Sequence, residues 1–349
     1  MRNYSYKNKW QAMLTPEIVA LLTKIHEYKG EHNSFLGASK DTLGHLVEIA
    51  KIQSADSSDR IEGIFTSGER LAKILRDKTR PSGKSEQEIA GYRDVLSLIH
   101  NSHQYINPKP NMFLQLHRML YRYGGNEGGV YRSKENVISE EDVLGNKQIR
   151  FEPVPFWEAP YAMESLCEAY EEAIADPEID SLILIPMFIL DFLCIHPFCD
   201  GNGRMSRLLM LLLLCREGYS IGKYISIEKA IEQTQATYYE ALEDSSRGWH
   251  ENKNDYTHFV RYTLGIILGA YREFKERVQV MTETQLSKSE RVRNVIRKTV
   301  GPITKAEILE KCPDISEITV QRTLADLLSN NEILKIGGGR YTSYIWNGD

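Results

Sequence analysis

The chain has 349 residues, of which 42% are hydrophobic and 26% charged, and its formal net charge is −5. These values are typical of a globular protein of two or three domains, and bulk charge gives no indication of a nucleic-acid or membrane surface. The longest apolar run is too short to span a bilayer, and the five cysteines form no CxxC pair and follow no apolar signal segment, so we expect a cytoplasmic protein.

Most of residues 10–285 is predicted to be helical, because apolar residues recur three and four positions apart. Residues 136–155 are the exception, since β-branched residues lie on both sides of Leu144-Gly145-Asn146. The Gly-Asn pair favours a hairpin turn. Two strands alone are barely stable, so we interpret this hairpin as a functional flap rather than as a core sheet.

The pattern changes after about residue 285. Residues 288–349 are typical of helix, turn and helix followed by a short hairpin, which is the order of elements in a winged helix. Basic residues only slightly outnumber acidic ones in this segment. Binding of DNA and docking of a protein therefore both stay open for it.

The segment CIHPFCDGNGRMSRLL (194–209) contains polar residues that apolar packing does not require. Gly201 and Gly203 allow a tight turn and let backbone N–H groups approach a ligand. A helix from about Arg204 onward would add unpaired N–H groups and a positive dipole end. Arg204 and Arg207 lie on one face of that helix, and two guanidinium groups there suit a polyphosphate.

Three other residues of this segment complete a phosphate-handling site. Asp200 would repel a bare anion, so it predicts a divalent cation, and hence a nucleoside triphosphate with Mg²⁺. Asn202 can add a side-chain N–H donor. His196 can take a proton from an attacking hydroxyl. The P-loop sequence is absent, which argues against an ordinary P-loop ATPase.

HPFCDGNGRMSR (196–207) matches the Fic motif HxFx[D/E]GNGRxxR at every defined position. The flanking segments LHRML, GGVYR and TYYEALEDS also resemble Fic proteins, so the resemblance covers roughly residues 15–285. Members of that family typically transfer AMP from ATP to a hydroxyl of a protein. The resemblance implies ATP and Mg²⁺ as cofactors and a protein with a Ser, Thr or Tyr hydroxyl as partner.

The resemblance also implies a role for each position of the motif. His196 would be the general base and Asp200 would hold Mg²⁺. The nucleotide would be bound by residues that contact its phosphates and adenine: Gly201, Asn202 and Gly203 for the α- and β-phosphates, Arg204 for the β-phosphate, Arg207 for the γ-phosphate, and Tyr238 or Tyr239 near the adenine. The flap would pair with the target through one strand edge, formed by Ile149, Arg150 and Phe151.

A second segment, SSDRIEG, resembles the inhibitory motif [S/T]xxxE[G/N] of the same family at Ser58, Glu62 and Gly63. A glutamate at the end of a helix spanning about 42–65 could pair with Arg207. It would then occupy the guanidinium that the γ-phosphate needs, and ATP would bind unproductively.

We therefore predict a mostly helical Fic fold with a flap and a C-terminal winged helix. The predicted domains are an N-terminal helical region (1–105), a catalytic core (106–285) and the winged helix (286–349). The activity is AMP transfer to a protein target, including the protein itself, and a homodimer is compatible with the family. Three alternatives stay open: another phosphoryl-linked transfer, removal of AMP with Glu62 orienting a water, and a nucleotide-sensing DNA-binding regulator.

Overall fold

The structure is a computed structural model, and it describes residues 2, 4–38, 40–65, 73–74, 79–124, 128–141, 147–282, 287–339 and 342–347. The chain forms two compact units. The first contains Met1–Lys29 and Ala50–Ala270, and the second contains Gly30–Ile49 and Tyr271–Asp349.

The chain is mostly helical, as its periodicity predicts. The α-helices are α1 (Pro16–Ala38), α2 (Lys40–Ile61), α3 (Lys84–Ser102), α4 (Pro110–Leu120), α5 (Ala159–Ile174), α6 (Ser181–Ile195), α7 (Asn202–Arg216), α8 (Ile227–Gln233), α9 (Gln235–Ser246), α10 (Thr257–Thr282), α11 (Lys288–Lys298), α12 (Lys305–Lys311) and α13 (Glu317–Ser329). The strands are β1 (Ile138–Glu141), β2 (Lys147–Phe151), β3 (Ile303–Thr304), β4 (Ile333–Ile336) and β5 (Ser343–Trp346). Within the described residues, none of the helices combines the length and the apolar character needed to cross a bilayer.

Two helices that are buried on nearly all sides form the centre of the first unit. α6 is almost wholly apolar and begins at Asp180, whose side chain accepts the N–H of Leu182. α7 packs against it and is also buried along its length. A helix that is apolar all round is stable only inside a core. The loop that joins α6 to α7 is therefore held from both ends by rigid, buried elements.

A buried carboxylate attaches α6 to distant parts of the chain. Asp191 accepts hydrogen bonds from Tyr6 (2.7 Å), Trp249 (2.6 Å) and Tyr256 (2.9 Å), and it forms an ion pair with Arg2 at 3.4 Å. Its side chain is fully buried, so these partners replace the water that a carboxylate would otherwise need. The network fixes the N-terminal segment and the chain before α10 against α6, five residues ahead of His196.

The predicted hairpin is present as two antiparallel strands. Its register pairs Ser139 with Ile149 and Glu141 with Lys147, with a bulge between Ile138 and Ser139. The predicted turn residues, Leu144-Gly145-Asn146, lie outside the described residues.

The last part of the chain, in the second unit, contains α11 to α13 and an antiparallel sheet with strand order β3-β5-β4. Its core includes Val292, Ile308, Val320 and Leu324. Helices α11 and α12 both begin with a capping box, in which the side chains of the cap residue and of a glutamate satisfy the first N–H groups. The assignment of this part as a winged helix, with DNA or a protein as its partner, stays a prediction.

Candidate active site

His196 lies at the end of α6 in the left-handed region, with φ 51° and ψ 59°. Its Nδ1 is 3.3 Å from the carbonyl oxygen of Leu193. A carbonyl can only accept, so Nδ1 carries the ring proton and Nε2 is left as an acceptor. Burial lowers the pKa of His196 to about 4, with a smaller contribution from Arg132 and opposing ones from Leu193, Glu62 and Asp200. The imidazole is therefore neutral near pH 7 and can act as a base.

The loop after His196 is closed by its own residues. The side chain of Asn202 accepts the N–H of Phe198 at 3.0 Å and donates to its carbonyl at 2.8 Å. Asn202 is 2% exposed. One of the two N–H groups of the amide is thus used inside the loop, and the contact of Asn202 with phosphate stays a prediction. Asn202 starts α7, two residues earlier than predicted, after Gly201 at φ +79°.

Two residues that the sequence did not single out support this loop. The His117 ring stacks on Phe198, with the ring centres 3.8 Å apart. His117 also accepts the N–H of Gly129 at 2.9 Å and donates to the carbonyl of Asp200 at 3.0 Å. Arg132 donates to the carbonyl of His196 at 2.9 Å. In the sequence, only the resemblance of the segments LHRML and GGVYR to Fic proteins indicated that these two residues matter.

The segment that resembles an inhibitory motif lies against Arg207, although 145 residues separate Glu62 from it. Arg207 donates from Nη2 to Glu62 Oε1 at 2.7 Å and to the carbonyl of Ser58 at 2.9 Å. Its Nε donates to the Ser58 hydroxyl at 2.9 Å. Burial lowers the pKa of Arg207, because it disfavours the charged form. The neighbouring groups, of which Glu62 has the largest effect, outweigh burial, so the pKa of Arg207 is raised. Gly63, at φ +75°, ends this helix.

The carboxylate of Glu62 also covers the start of α7. A Cβ atom placed on Gly203 would lie 2.3 Å from Glu62 Oε1. The first turn of a helix carries unpaired N–H groups and a partial positive charge. An anion therefore already occupies the position that the sequence predicts for phosphate.

Arg204 is 1% exposed, and lies behind the loop rather than in the pocket. Its Nη1 donates to Glu88 Oε2 at 2.8 Å and its Nη2 to the hydroxyl of Tyr121 at 2.7 Å. The sequence did not identify either partner. A β-phosphate bound by Arg204 would have to approach from the side of Asp200, whose carboxylate is 3.7 Å from Nη2.

A single pocket brings most of the predicted residues together. It is lined by groups from the loop, the inhibitory segment, α9 and the flap, including His196, Gly203, Arg207, Glu62, Tyr238, Tyr239, Arg150 and Phe151. Arg150 donates to the carbonyl of Tyr239 and its guanidinium lies over that ring, while Phe151 stacks on His250. Ile149 is instead 60% exposed and faces solvent.

Asp200 is the predicted magnesium ligand. Its side chain is 57% exposed, and Oδ1 accepts the N–H of Gly201 at 2.6 Å. The described residues contain no cluster of three or more metal-binding side chains. A single exposed carboxylate fits Mg²⁺, which keeps several waters and is usually completed by substrate phosphates.

A family model and several known proteins are similar to parts of this chain. Residues 105–214 match the model of the Fic/DOC family. Proteins named "Protein adenylyltransferase Fic" are similar over most of the chain: the Drosophila melanogaster protein is 33% identical over 79% of this chain and 54% of its own length, and the Culex quinquefasciatus protein is 28% identical over 68% and 45%. The chain spans about half the length of these curated relatives.

Solved structures show the same fold. A Fic family protein from Desulfovibrio desulfuricans superposes with a TM-score of 0.61 at 22% identity, and covers 96% of this chain and 97% of its own. Fic-1 from C. elegans superposes with a TM-score of 0.59 at 20% identity, over 76% and 74%. The mostly helical fold predicted from the sequence is thus confirmed as the Fic fold.

The buried histidines of the first unit predict that acid destabilises the protein. Burial is the largest cause that lowers the pKa values of His100, His117 and His196, to about 3, 4 and 4. Because the unfolded chain binds these protons near pH 6.5 and the folded chain does not, stability falls as the pH falls from about 6.5 towards 4. Melting curves between pH 7.5 and 4.5 measure this. The variant His100→Gln should flatten the dependence, and an unchanged slope would contradict the assignment.

Proposed function

We propose that this chain is a protein adenylyltransferase, which transfers AMP from ATP to a hydroxyl group of a protein and is restrained by its own Glu62. The observation that carries the proposal is that one pocket contains a neutral histidine, the start of α7 and a buried arginine. The similarity to proteins named as adenylyltransferases agrees with this assignment.

The chemistry follows from the order of these groups along the pocket. The phosphates of ATP lie along residues 201–207, where the helix N-terminus and Arg207 stabilise their charge. The target hydroxyl attacks the α-phosphorus while Nε2 of His196 takes its proton. A new oxygen–phosphorus bond forms, the bond to the bridging oxygen breaks, and pyrophosphate leaves. Mg²⁺ at Asp200 supplies charge neutralisation for the phosphates when it is bound.

The flap provides the place for the protein target. Arg150 and Phe151 of β2 hold the flap against α9 and His250, while Ile149 stays exposed. The neighbouring strand edge can pair with an extended segment of the target and bring its hydroxyl next to His196. A target of this kind would be a protein with a Ser, Thr or Tyr residue in an accessible loop, and this same chain is one candidate.

The restraint is a competition for one guanidinium group. Glu62 bonds Arg207 at 2.7 Å and lies over Gly203. The γ-phosphate would need the same arginine, so ATP binds in a shifted pose while Glu62 is in place. The alternative reaction, removal of AMP, uses the same contact, because Glu62 and His196 line one pocket and a carboxylate can orient a water.

The role of His196 predicts that His196→Ala removes transfer but leaves ATP binding nearly intact, because the base acts on the hydroxyl and not on the phosphates. Loss of a general base costs roughly 10²–10⁴-fold in rate. Labelling with α-³²P-ATP measures the rate, and calorimetry measures ATP binding. Transfer at the parent rate by this variant would show that the roles are wrongly assigned.

The role of Asp200 predicts that Asp200→Asn raises the concentration of Mg²⁺ needed for transfer. Asparagine keeps an oxygen that can accept the N–H of Gly201, so the loop is preserved and only the charge is lost. The titration of labelling against Mg²⁺ for both proteins is the measurement. Full activity of the parent enzyme in excess chelator would rule out the metal.

The Glu62–Arg207 contact predicts that Glu62→Gly labels itself faster than the parent by about 10- to 100-fold, since a charge-assisted hydrogen bond contributes roughly 1.5–3 kcal/mol. Arg207→Ala should not be activated, and the double variant should resemble Arg207→Ala alone. ATP should also raise the melting temperature of Glu62→Gly more than that of the parent.

Arg60→Ala is the matched control for this set. Arg60 lies on the same turn but pairs with Asp56 at the surface, so its loss should leave labelling unchanged. If Glu62→Gly labels no faster than the parent and responds to ATP in the same way, Glu62 is not a brake.

A further inference from the structure

The guanidinium group of Arg204 has contacts on two sides. We call the side towards α2 and α3 the back, and the side towards the loop after His196 the front. At the back, Nη1 donates to Glu88 Oε2 of α3 at 2.8 Å and lies 3.8 Å from Asp59 Oδ1 of α2. At the front, Nη2 donates to Tyr121 and lies 3.7 Å from Asp200, at the loop. Only the front faces the region where the β-phosphate would lie in the proposed reaction. The contacts at the back therefore set how the guanidinium is presented to the loop.

Two carboxylates compete for the back of Arg204. Glu88 is 6% exposed and has the hydrogen bond, with the exposed Lys84 3.7 Å from its other oxygen. Asp59 is 0% exposed, and among the described residues neither of its carboxylate oxygens has a hydrogen-bond partner. A buried carboxylate without hydrogen bonds is unfavourable. Asp59 would therefore bind Nη1 if Glu88 released it.

The backbone of Asp59 is fixed at the end of α2. Its carbonyl accepts the N–H of Glu62 at 3.0 Å and that of Ile64 at 2.9 Å. We therefore expect the Arg204 side chain, whose Nη1 is already 3.8 Å from Asp59 Oδ1, to be the group that moves. A movement of Arg204 towards Asp59 would turn its Nη2 away from the loop. Binding of the β-phosphate would then be weaker.

We propose that Glu88 is a positioning residue for AMP transfer: its hydrogen bond keeps Arg204 turned towards the loop and prevents capture of the guanidinium by Asp59. The proposal rests on the proposed function, and it deepens it by adding a residue outside the motif. Glu88 does not touch the substrate; it acts only through Arg204.

The protonation of Asp59 gives this arrangement a signature in pH. The charged groups that face Asp59 are Arg204 and Arg207 of α7, Glu88 of α3 and Glu62 at the end of α2. Burial is the largest effect and raises the pKa of Asp59 to about 7, with the arginines opposing it. In the parent chain Asp59 therefore gains its charge around neutral pH. Removal of Glu62 and Glu88, which both raise the pKa of Asp59, shifts that gain to lower pH, and the attraction of Asp59 for a released Arg204 is lost only in acid.

The test uses the Glu62→Gly background, in which the brake is removed. Adding Glu88→Ala should weaken ATP binding and raise the KM for ATP roughly tenfold, because a charge-assisted hydrogen bond to Arg204 is lost. The kcat should change less, since His196 is untouched. Glu88→Gln keeps an oxygen acceptor and should stay close to the background. Glu86→Ala is the matched control. Glu86 is buried on the same helix, but its carboxylate accepts the backbone N–H of Ser82.

The rescue experiment separates positioning from a merely structural effect. Asp59→Asn removes the competing charge, so adding it to Glu88→Ala should restore part of the ATP affinity. The defect of Glu88→Ala, relative to the background, should also be smaller at pH 5 than at pH 8, because acid protonates Asp59, and Asp59→Asn should remove that difference. Calorimetry with ATP and Mg²⁺ at the two pH values measures the affinities of the background, of Glu88→Ala and of Glu88→Ala with Asp59→Asn, without a protein target.

Two results would overturn the proposal. One is ATP binding by Glu88→Ala that equals the background, and the other is a defect that neither Asp59→Asn nor pH alters. If Glu88→Ala does not fold, as judged by its melting curve, Glu88→Asp takes its place, because its carboxylate is one methylene too short to reach Nη1. Failure of the proposed function itself would appear separately, as normal ATP binding with no labelled protein in the Glu62→Gly background.

Discussion

Two positive charges buried at the start of α7 are the constraint around which the site is organised. Arg204 is 1% exposed and Arg207 is 3% exposed. Burying a guanidinium group costs several kcal/mol unless oppositely charged groups and hydrogen bonds compensate. The chain provides this compensation from α2 and α3, with Glu62 on Arg207 and Glu88 on Arg204. The position of both helices follows from that requirement as much as from apolar packing.

Under the proposed function, Glu62 and the phosphate of the substrate are two ways to meet this one electrostatic requirement. When Glu62 leaves Arg207, a phosphate can take its place, so the arginine keeps a paired anion in both states. The backbone of α2 has no need to unfold for this exchange, because Ser58 holds Arg207 through its hydroxyl and carbonyl independently of Glu62. A change of state is thus confined to one side chain at the mouth of the pocket.

The sequence predicted the parts of the site that depend on short spacing and on the family resemblance. The loop from His196 to Arg207 is local, so its residue types indicated its chemistry, and the inhibitory motif indicated the pairing of Glu62. The contacts of His117 and Glu88 could not be found in this way, because 83 and 116 residues separate them from their partners and no spacing rule connects them. The hydrogen bonds of Asn202 with the backbone of Phe198 are local, but no pattern in the sequence indicated them.

Gly203 contributes to two properties of the site, its contact with Glu62 and its approach to a phosphate, so a substitution there would affect both. Any side chain there would begin 2.3 Å from the Glu62 carboxylate and would displace it, since Glu62 is the flexible partner. The same atom would stand where the backbone approaches a phosphate. Under the proposed function, a substitution at Gly203 would therefore remove the restraint and impair the phosphate site in one step. Loss of the restraint alone would then require a change elsewhere, at the helix end that carries Glu62.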